Sequence, residues 1–259
     1  MPSRMEGYNQ LLQESQQRGY EFHSIRSFWQ LIQAGVLQTD RRYLVLRHDI
    51  DTDRSGAEAF WQVEQSLNAR ASFYFRLSTI DIPLMQKIEA SGSEASYHYE
   101  EIASIAKQLC LHGTQQVAHQ MPAIRQRFKS NLTALRQQSG LPMSTLASHG
   151  DFVNRKLKIY NYDILKDSEL REELTIEAEV YDDAINRPLT SRFSDAPYPR
   201  FWQPSDPLEA IRRGDAVVYL LTHPRHWHPN PKGNLADNFR RLAGGLRYST
   251  CVHRKASFR

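Results

Sequence analysis

Short apolar runs and amphipathic stretches alternate along the chain. Tyr43-Leu44-Val45-Leu46-Arg47 has the length and β-branched, aromatic character of a buried strand. In residues 53–68, Ala59, Phe60, Val63 and Leu67 recur on one helical face, with Thr52 or Asp53 available as the cap. The same alternation continues with a strand at 71–76, a helix at 81–90 stopped by Gly92, a strand at 93–97 and a helix at 101–111. A long polar helix is predicted over 118–138, closed by Gly140 and Pro142, followed by short strands at 144–148, 175–180 and 189–193. Asp206-Pro207 opens a helix that Gly214 ends, and Ala216 to Thr222 is the clearest buried strand.

Strands alternating with helices predict βαβ units, hence a parallel sheet or barrel. No Gly/Ser/Pro-rich linker divides the chain, so it reads as one domain, 43–259, with an N-terminal helical extension, 1–42. The aromatic residues of that extension, Tyr20, Phe22, Phe28 and Trp29, suit a packing cap or a dimer contact, which leaves a homo-oligomer open.

In parallel α/β folds ligands bind where strands end. Here the predicted strands end in His48-Asp49-Ile50-Asp51, His98-Tyr99-Glu100-Glu101, His149-Gly150-Asp151 and His223-Pro224. Asp49 and Asp51 are two apart and point the same way in extended chain. Two like carboxylates held together call for a cation or a shared proton. With histidine alongside, the donor set suits zinc or another divalent first-row metal. The competing readings are a helix cap for the aspartates, a hydrogen-bonded core residue for His98, and a strand terminus for His223-Pro224. Trp227, among Pro224, Pro229 and Pro231, is expected on a rigid surface loop covering substrate, a better reading than ligation by His226 and His228.

Composition narrows the classes without naming one. Of 259 residues, 40% are hydrophobic and 24% charged, ordinary globular usage. The longest apolar run, Ala216 to Leu221, is too short to cross a bilayer, so no membrane span is expected, and no secretory signal is visible. Cys110, on a helix, is expected in the core, and both it and Cys251 as reduced thiols of a cytoplasmic protein. The net charge of +4 is uneven, because Asp237 is the last acid and Arg240, Arg241, Arg247, Arg254, Lys255 and Arg259 follow. Without an aromatic platform or zinc-finger spacing this reads as a solvated C-terminal helix and tail, not a nucleic-acid or membrane patch. Phosphate-binding glycine loops and a nucleophile elbow are also missing.

Leu46-Arg47-His48-Asp49-Ile50-Asp51 resembles a variant of the first motif of polysaccharide deacetylases. Ala71-Ser72-Phe73-Tyr74-Phe75 resembles the family's second strand, and Glu94 to Glu100 its metal-histidine strand. Ser194-Asp195 with Arg200 and Trp202 resembles the segment that steadies the catalytic base, and Leu220 to Pro224 the last motif. The Arg-His-Asp-x-Asp and Tyr-His-Tyr-Glu forms are most similar to the surface-polysaccharide-biosynthesis branch. The resemblance implies a distorted (β/α) barrel of about seven parallel strands. It implies a metal-dependent carbohydrate N-deacetylase acting on an acylated sugar or sugar conjugate. Asp49 would be the base, His223 the acid, and Asp51 and His98 ligands of one divalent ion, zinc first among candidates. Asp195, Trp202 and Trp227 would serve the substrate side. The family's second metal histidine falls at Ile102, so Glu100, Glu101 or His149 would supply the third ligand, with His149 the first choice. The same departure leaves a catalytically inactive, glycan-binding or scaffolding relative as the alternative.

Overall fold

The computed structural model describes residues 4–52, 54–196, 201–227 and 230–257, the last five of these by backbone alone. The chain opens with α1 (Met5–Gln17), β1 (Tyr20–His23) and α2 (Ile25–Ala34). Then come β2 (Arg42–Ile50), α3 (Arg54–Ser66), β3 (Ser72–Phe75), α4 (Ile82–Ala90) and β4 (Glu94–Tyr99). Two helices, α5 (Glu101–Leu109) and α6 (Thr114–Ser139), lead to β5 (Thr145–Ser148) and α7 (Phe152–Leu157). The next elements are α8 (Ser168–Glu173), β6 (Ala178–Glu179), α9 (Asp183–Asn186) and β7 (Ser191–Asp195). The chain ends with β8 (Trp202–Gln203), α10 (Pro207–Arg213), β9 (Val217–Thr222) and α11 (Pro231–Ser257).

The sheet order is β6-β5-β4-β3-β2-β9-β7-β8, and β1 pairs with β2 off this path. Among the described residues every pairing is parallel except β7 with β8. Strand β2 carries three neighbours. It pairs with β9 along one edge, while β1 takes Arg42 to Val45 and β3 takes Arg47 to Ile50 on the other. The sequence reading did not contain β1, although its Tyr-Glu-Phe-His alternation has the period of a strand.

Side chains along the strands alternate between two cores. Leu44, Leu46 and Ile50 of β2, with Phe73, Phe75, Tyr97, Val218 and Leu220, pack outward under the helices. Tyr43 and Val45 point inward with Tyr74, Ala147, Ala178, Val217 and Tyr219. That inner cluster joins β2 and β9 to β5 and β6, so the sheet curls round on itself: the fold is a distorted (β/α) barrel. A polar layer lies in the same interior, where Glu94 accepts hydrogen bonds from Ser72 and Thr145, both at 2.5 Å, and Thr145 bonds Tyr74 Oη at 2.7 Å.

Local signals fix the helices. Asp81 and Asp206 accept from the backbone N–H of Leu84 and Leu208. Gly140 and Gly214 close α6 and α10 at φ +73° and +83°, conformations that L side chains rarely adopt. At Gly214 a Cβ would also meet the Arg42 guanidinium at 3.1 Å. The expected caps of α3 divide: Asp53 lies outside the described residues, and α3 begins at Arg54.

The expectation for the cysteines is overturned. Cys110 and Cys251 form a disulfide across a sequence separation of 141, so neither is a reduced thiol. Cys110 is buried, as expected, but caps α5 in the left-handed conformation instead of lying within the helix. Sequence spacing gave no sign of the pairing, because the packing of α11 onto the body brings the two residues together. Disulfides persist in oxidising compartments, so the cysteines no longer argue for a cytoplasmic location.

Candidate metal centre

The inward positions of β2 continue past the apolar layer as Arg47, Asp49 and Asp51. Arg47, 1% exposed, grips Asp49 with both arms, Nε to Oδ1 and Nη2 to Oδ2 at 2.7 Å each. Its remaining nitrogen reaches Tyr219 Oη at 3.2 Å, and Tyr74 and Tyr181 flank the guanidinium. Burial alone would raise the Asp49 carboxyl, but Arg47, aided by His98 and His223, holds it below the usual carboxylate range.

His98 lies on the inward row of β4, after Glu94 and Ser96. Its Nδ1 donates to the carbonyl of Ala147 at 2.9 Å, which leaves Nε2 as the lone pair facing the aspartates. Nε2 is 3.4 Å from Asp49 Oδ2 and 3.5 Å from Asp51 Oδ1. His149 arrives through the pairing of β4 with β5, its backbone N–H bonded to the carbonyl of Tyr99 at 2.8 Å. His149 Nδ1 sits 3.1 Å from Asp51 Oδ1 and 3.3 Å from His98 Nε2. Asp51, His98 and His149 therefore bring one oxygen and two nitrogens within 4.8 Å of one another.

Asp51 Oδ1 is buried and accepts no hydrogen bond, despite these neighbours. Burial would raise the Asp51 carboxyl, but His149 and His98 hold it well below its ordinary value. An ionised, unsatisfied carboxylate oxygen facing two imidazole nitrogens is the environment a divalent cation completes. Glu100 and Glu101 are engaged elsewhere. Glu100 takes both hydrogen bonds from Arg76 Nη2 at 2.8 Å, and Glu101 accepts from Tyr97 Oη and Asn131. Ile102 is fully buried in the outer core.

His223 follows β9 on the neighbouring rim. Its Nδ1 bonds Asp195 Oδ1 at 2.7 Å, and its backbone N–H donates to Asp195 Oδ2 at 2.7 Å. Burial would depress the imidazole, but Asp195, with Asp51 and Asp49, raises it to about 9. Asp195 thus steadies His223, while Arg47 steadies Asp49. The sequence reading did not single out Arg47, although its place two residues before Asp49 puts both on one strand face. Arg200 lies outside the described residues.

Trp227 is not placed as expected. Trp227 is 5% exposed, with its ring against Tyr8, Phe60 and Trp202, so it is a core residue and not the cover of a surface loop. Its indole N–H donates to Asp195 Oδ2 at 2.8 Å and so supports the clamp on His223. Trp202 is partly buried against it, and His228 lies outside the described residues. His48 points outward, away from the aspartates. It bonds Thr222 and Glu64, each at 2.6 Å, and Tyr8 Oη donates to the same Glu64.

A cleft of about 630 Å³ opens above Asp51 and His149. Arg76, Lys107 and Arg155 line one side, and the inner face of α11, with Asp237, Arg240 and Arg241, lines the other. Arg241 approaches Asp51 Oδ2 to 3.7 Å and pairs with Asp237 at 2.6 Å.

No protein-family profile matches the chain, and no curated protein is significantly similar in sequence. Two of the solved structures that the chain matches are distant ones. One is the Streptococcus pyogenes deacetylase PplD in complex with acetate, with 11% identity, 87% of each chain covered and a TM-score of 0.48. The other is a mutant of a CE4 family pseudoenzyme with restored enzymatic activity, with 9% identity, 80% of this chain and 65% of that chain covered, and a TM-score of 0.45.

Proposed function

We propose that this protein is a metal-dependent hydrolase that removes an N-acyl group, first of all acetyl, from a sugar or sugar conjugate. The observation that carries the reading is Asp51 Oδ1, buried and unbonded, facing His98 Nε2 and His149 Nδ1. Asp51, His98 and His149 would hold one divalent ion, with zinc the natural fit to a two-histidine, one-carboxylate set. Such an ion would polarise the acyl oxygen and acidify a water.

The chain's own residues supply the rest. Asp49 takes a proton from the attacking water, and the Arg47 fork keeps its carboxylate ionised and aimed. His223 is protonated at neutral pH because of Asp195, so it can give a proton to the leaving nitrogen. Water's oxygen ends in the carboxylate and the amide nitrogen leaves as an amine. The cationic side chains lining the cleft suit a substrate bearing phosphate or carboxylate, as nucleotide- or lipid-linked sugars do.

A second reading, an inactive relative that binds a glycan, draws on the same Arg47 fork, because a carboxylate held that firmly is a weak base. Paired variants separate the two. Asp49→Asn should keep the metal and lose roughly 10²–10⁴ in kcat on an N-acetyl sugar substrate. Asp51→Asn should lose the metal first and the rate with it. If wild-type protein loaded with metal releases no carboxylate from any N-acyl sugar tried, the inactive reading stands.

A further inference from the structure

Helix α11 has two unlike faces. Its inner face is anchored to the body: Tyr248, 1% exposed, donates to the carbonyl of Leu111 at 2.5 Å, Cys251 is bonded to Cys110, and Asp237 pairs with Arg225 and Arg241. Its outer face carries Leu235, Phe239, Leu242 and Leu246, which are 57%, 62%, 61% and 62% exposed. These positions are i, i+4, i+7 and i+11, one continuous stripe on a helix. Four large apolar side chains exposed in a row are unusual on a soluble surface and mark a contact.

Charge decides between the possible occupants. Lys232 and Arg247 are exposed and run along one flank of the stripe. Asp237 is the sole acid between 231 and 257, and it is turned inward onto Arg225 and Arg241. A second copy of this helix would bring basic flanks together without an acidic partner. A nucleic acid would match the charge but offers no bed for leucine and phenylalanine. An apolar stripe bordered by Lys and Arg is the pattern of a helix lying in the interface of an anionic bilayer.

We propose that the outer face of α11 docks on an anionic lipid surface, with the stripe in the headgroup layer and Lys232 and Arg247 against lipid phosphates. The cleft above Asp51 and His149 lies under the inner face of the same helix, so docking holds it beside the lipid headgroups. This stands apart from the hydrolase reading, since it rests on the outer face alone.

The test is co-sedimentation of the full chain with vesicles of phosphatidylcholine alone or of equimolar phosphatidylcholine and phosphatidylglycerol. Binding is expected to the anionic vesicles, and to weaken as salt rises. Lys232→Gln with Arg247→Gln should weaken it about 30-fold. Phe239→Ser with Leu242→Ser should weaken it at least about tenfold. Both pairs are exposed, and unchanged circular dichroism and thermal midpoint would certify the fold. Equal binding to the two vesicle types, or none, overturns the proposal. So does a dimer in light scattering that Leu242→Glu abolishes, in a chain that ignores vesicles. Binding to a DNA oligonucleotide that depends on the basic residues but not on the stripe, without vesicle binding, overturns it as well.

Discussion

Arg47 and Asp49 stand two residues apart on one strand, and the guanidinium holds both carboxylate oxygens at 2.7 Å in the barrel interior. Each is almost wholly buried, so removing either partner leaves the other charge costly without unfolding the chain. Arg47→Met should therefore cost about 3–5 kcal/mol, a fall in Tm of roughly 10 °C for a chain of this size. Replacing the pair together, Arg47→Met with Asp49→Leu, should return most of that loss while leaving the protein inactive. Urea unfolding measures both. A single variant as stable as wild type would show that the pair is not a closed unit.

The pair of Asp195 and His223 predicts a pH profile. His223 is raised from 6.5 to about 9, with burial opposing and Asp195 prevailing, so its acid form is present below that value. The rate should hold through neutral pH and fall as pH rises through about 9. The pair's contribution to stability follows the same sign, complete below pH 6.5 and lost as pH rises through about 9. Asp195→Asn removes the raising partner, so burial prevails and the alkaline limb of kcat/KM should move to lower pH. A limb that stays in place would detach Asp195 from the chemistry.

The barrel was legible in the sequence from strands alternating with helices, and much of the rim from period-two alternation within a strand. Asp49 and Asp51 share a face for that reason, and His98 falls on the inward row of its own strand. Strand order was not legible, and it is strand order that sets His149 beside His98 through the β4–β5 pairing. The same alternation, applied one residue further, would have turned His48 outward and picked out Arg47. Trp227 was misplaced because three nearby prolines suggested a surface loop, whereas Tyr8 of α1 and Phe60 of α3 form a pocket for the indole. Residues far apart in sequence made that pocket, as they did the disulfide.

That disulfide closes a large loop, with 141 residues of separation between its ends. In the chain-entropy account such a link is worth up to about 5 kcal/mol. Reductant, or Cys251→Ser, should lower the denaturant midpoint, while Tyr248 still ties α11 to Leu111. Thiol titration of the unfolded, unreduced protein should find no free thiol. Two free thiols and an indifferent midpoint would contradict the link.

A divalent ion held by Asp51, His98 and His149 underlies the proposed hydrolysis. Equilibrium dialysis of chelator-treated protein against zinc tests it most directly. About one ion per chain is expected for wild type and for Asp49→Asn, with markedly weaker retention by Asp51→Asn and His149→Ala, since each removes a ligand. Wild-type protein that binds no more zinc than Asp51→Asn would contradict the account.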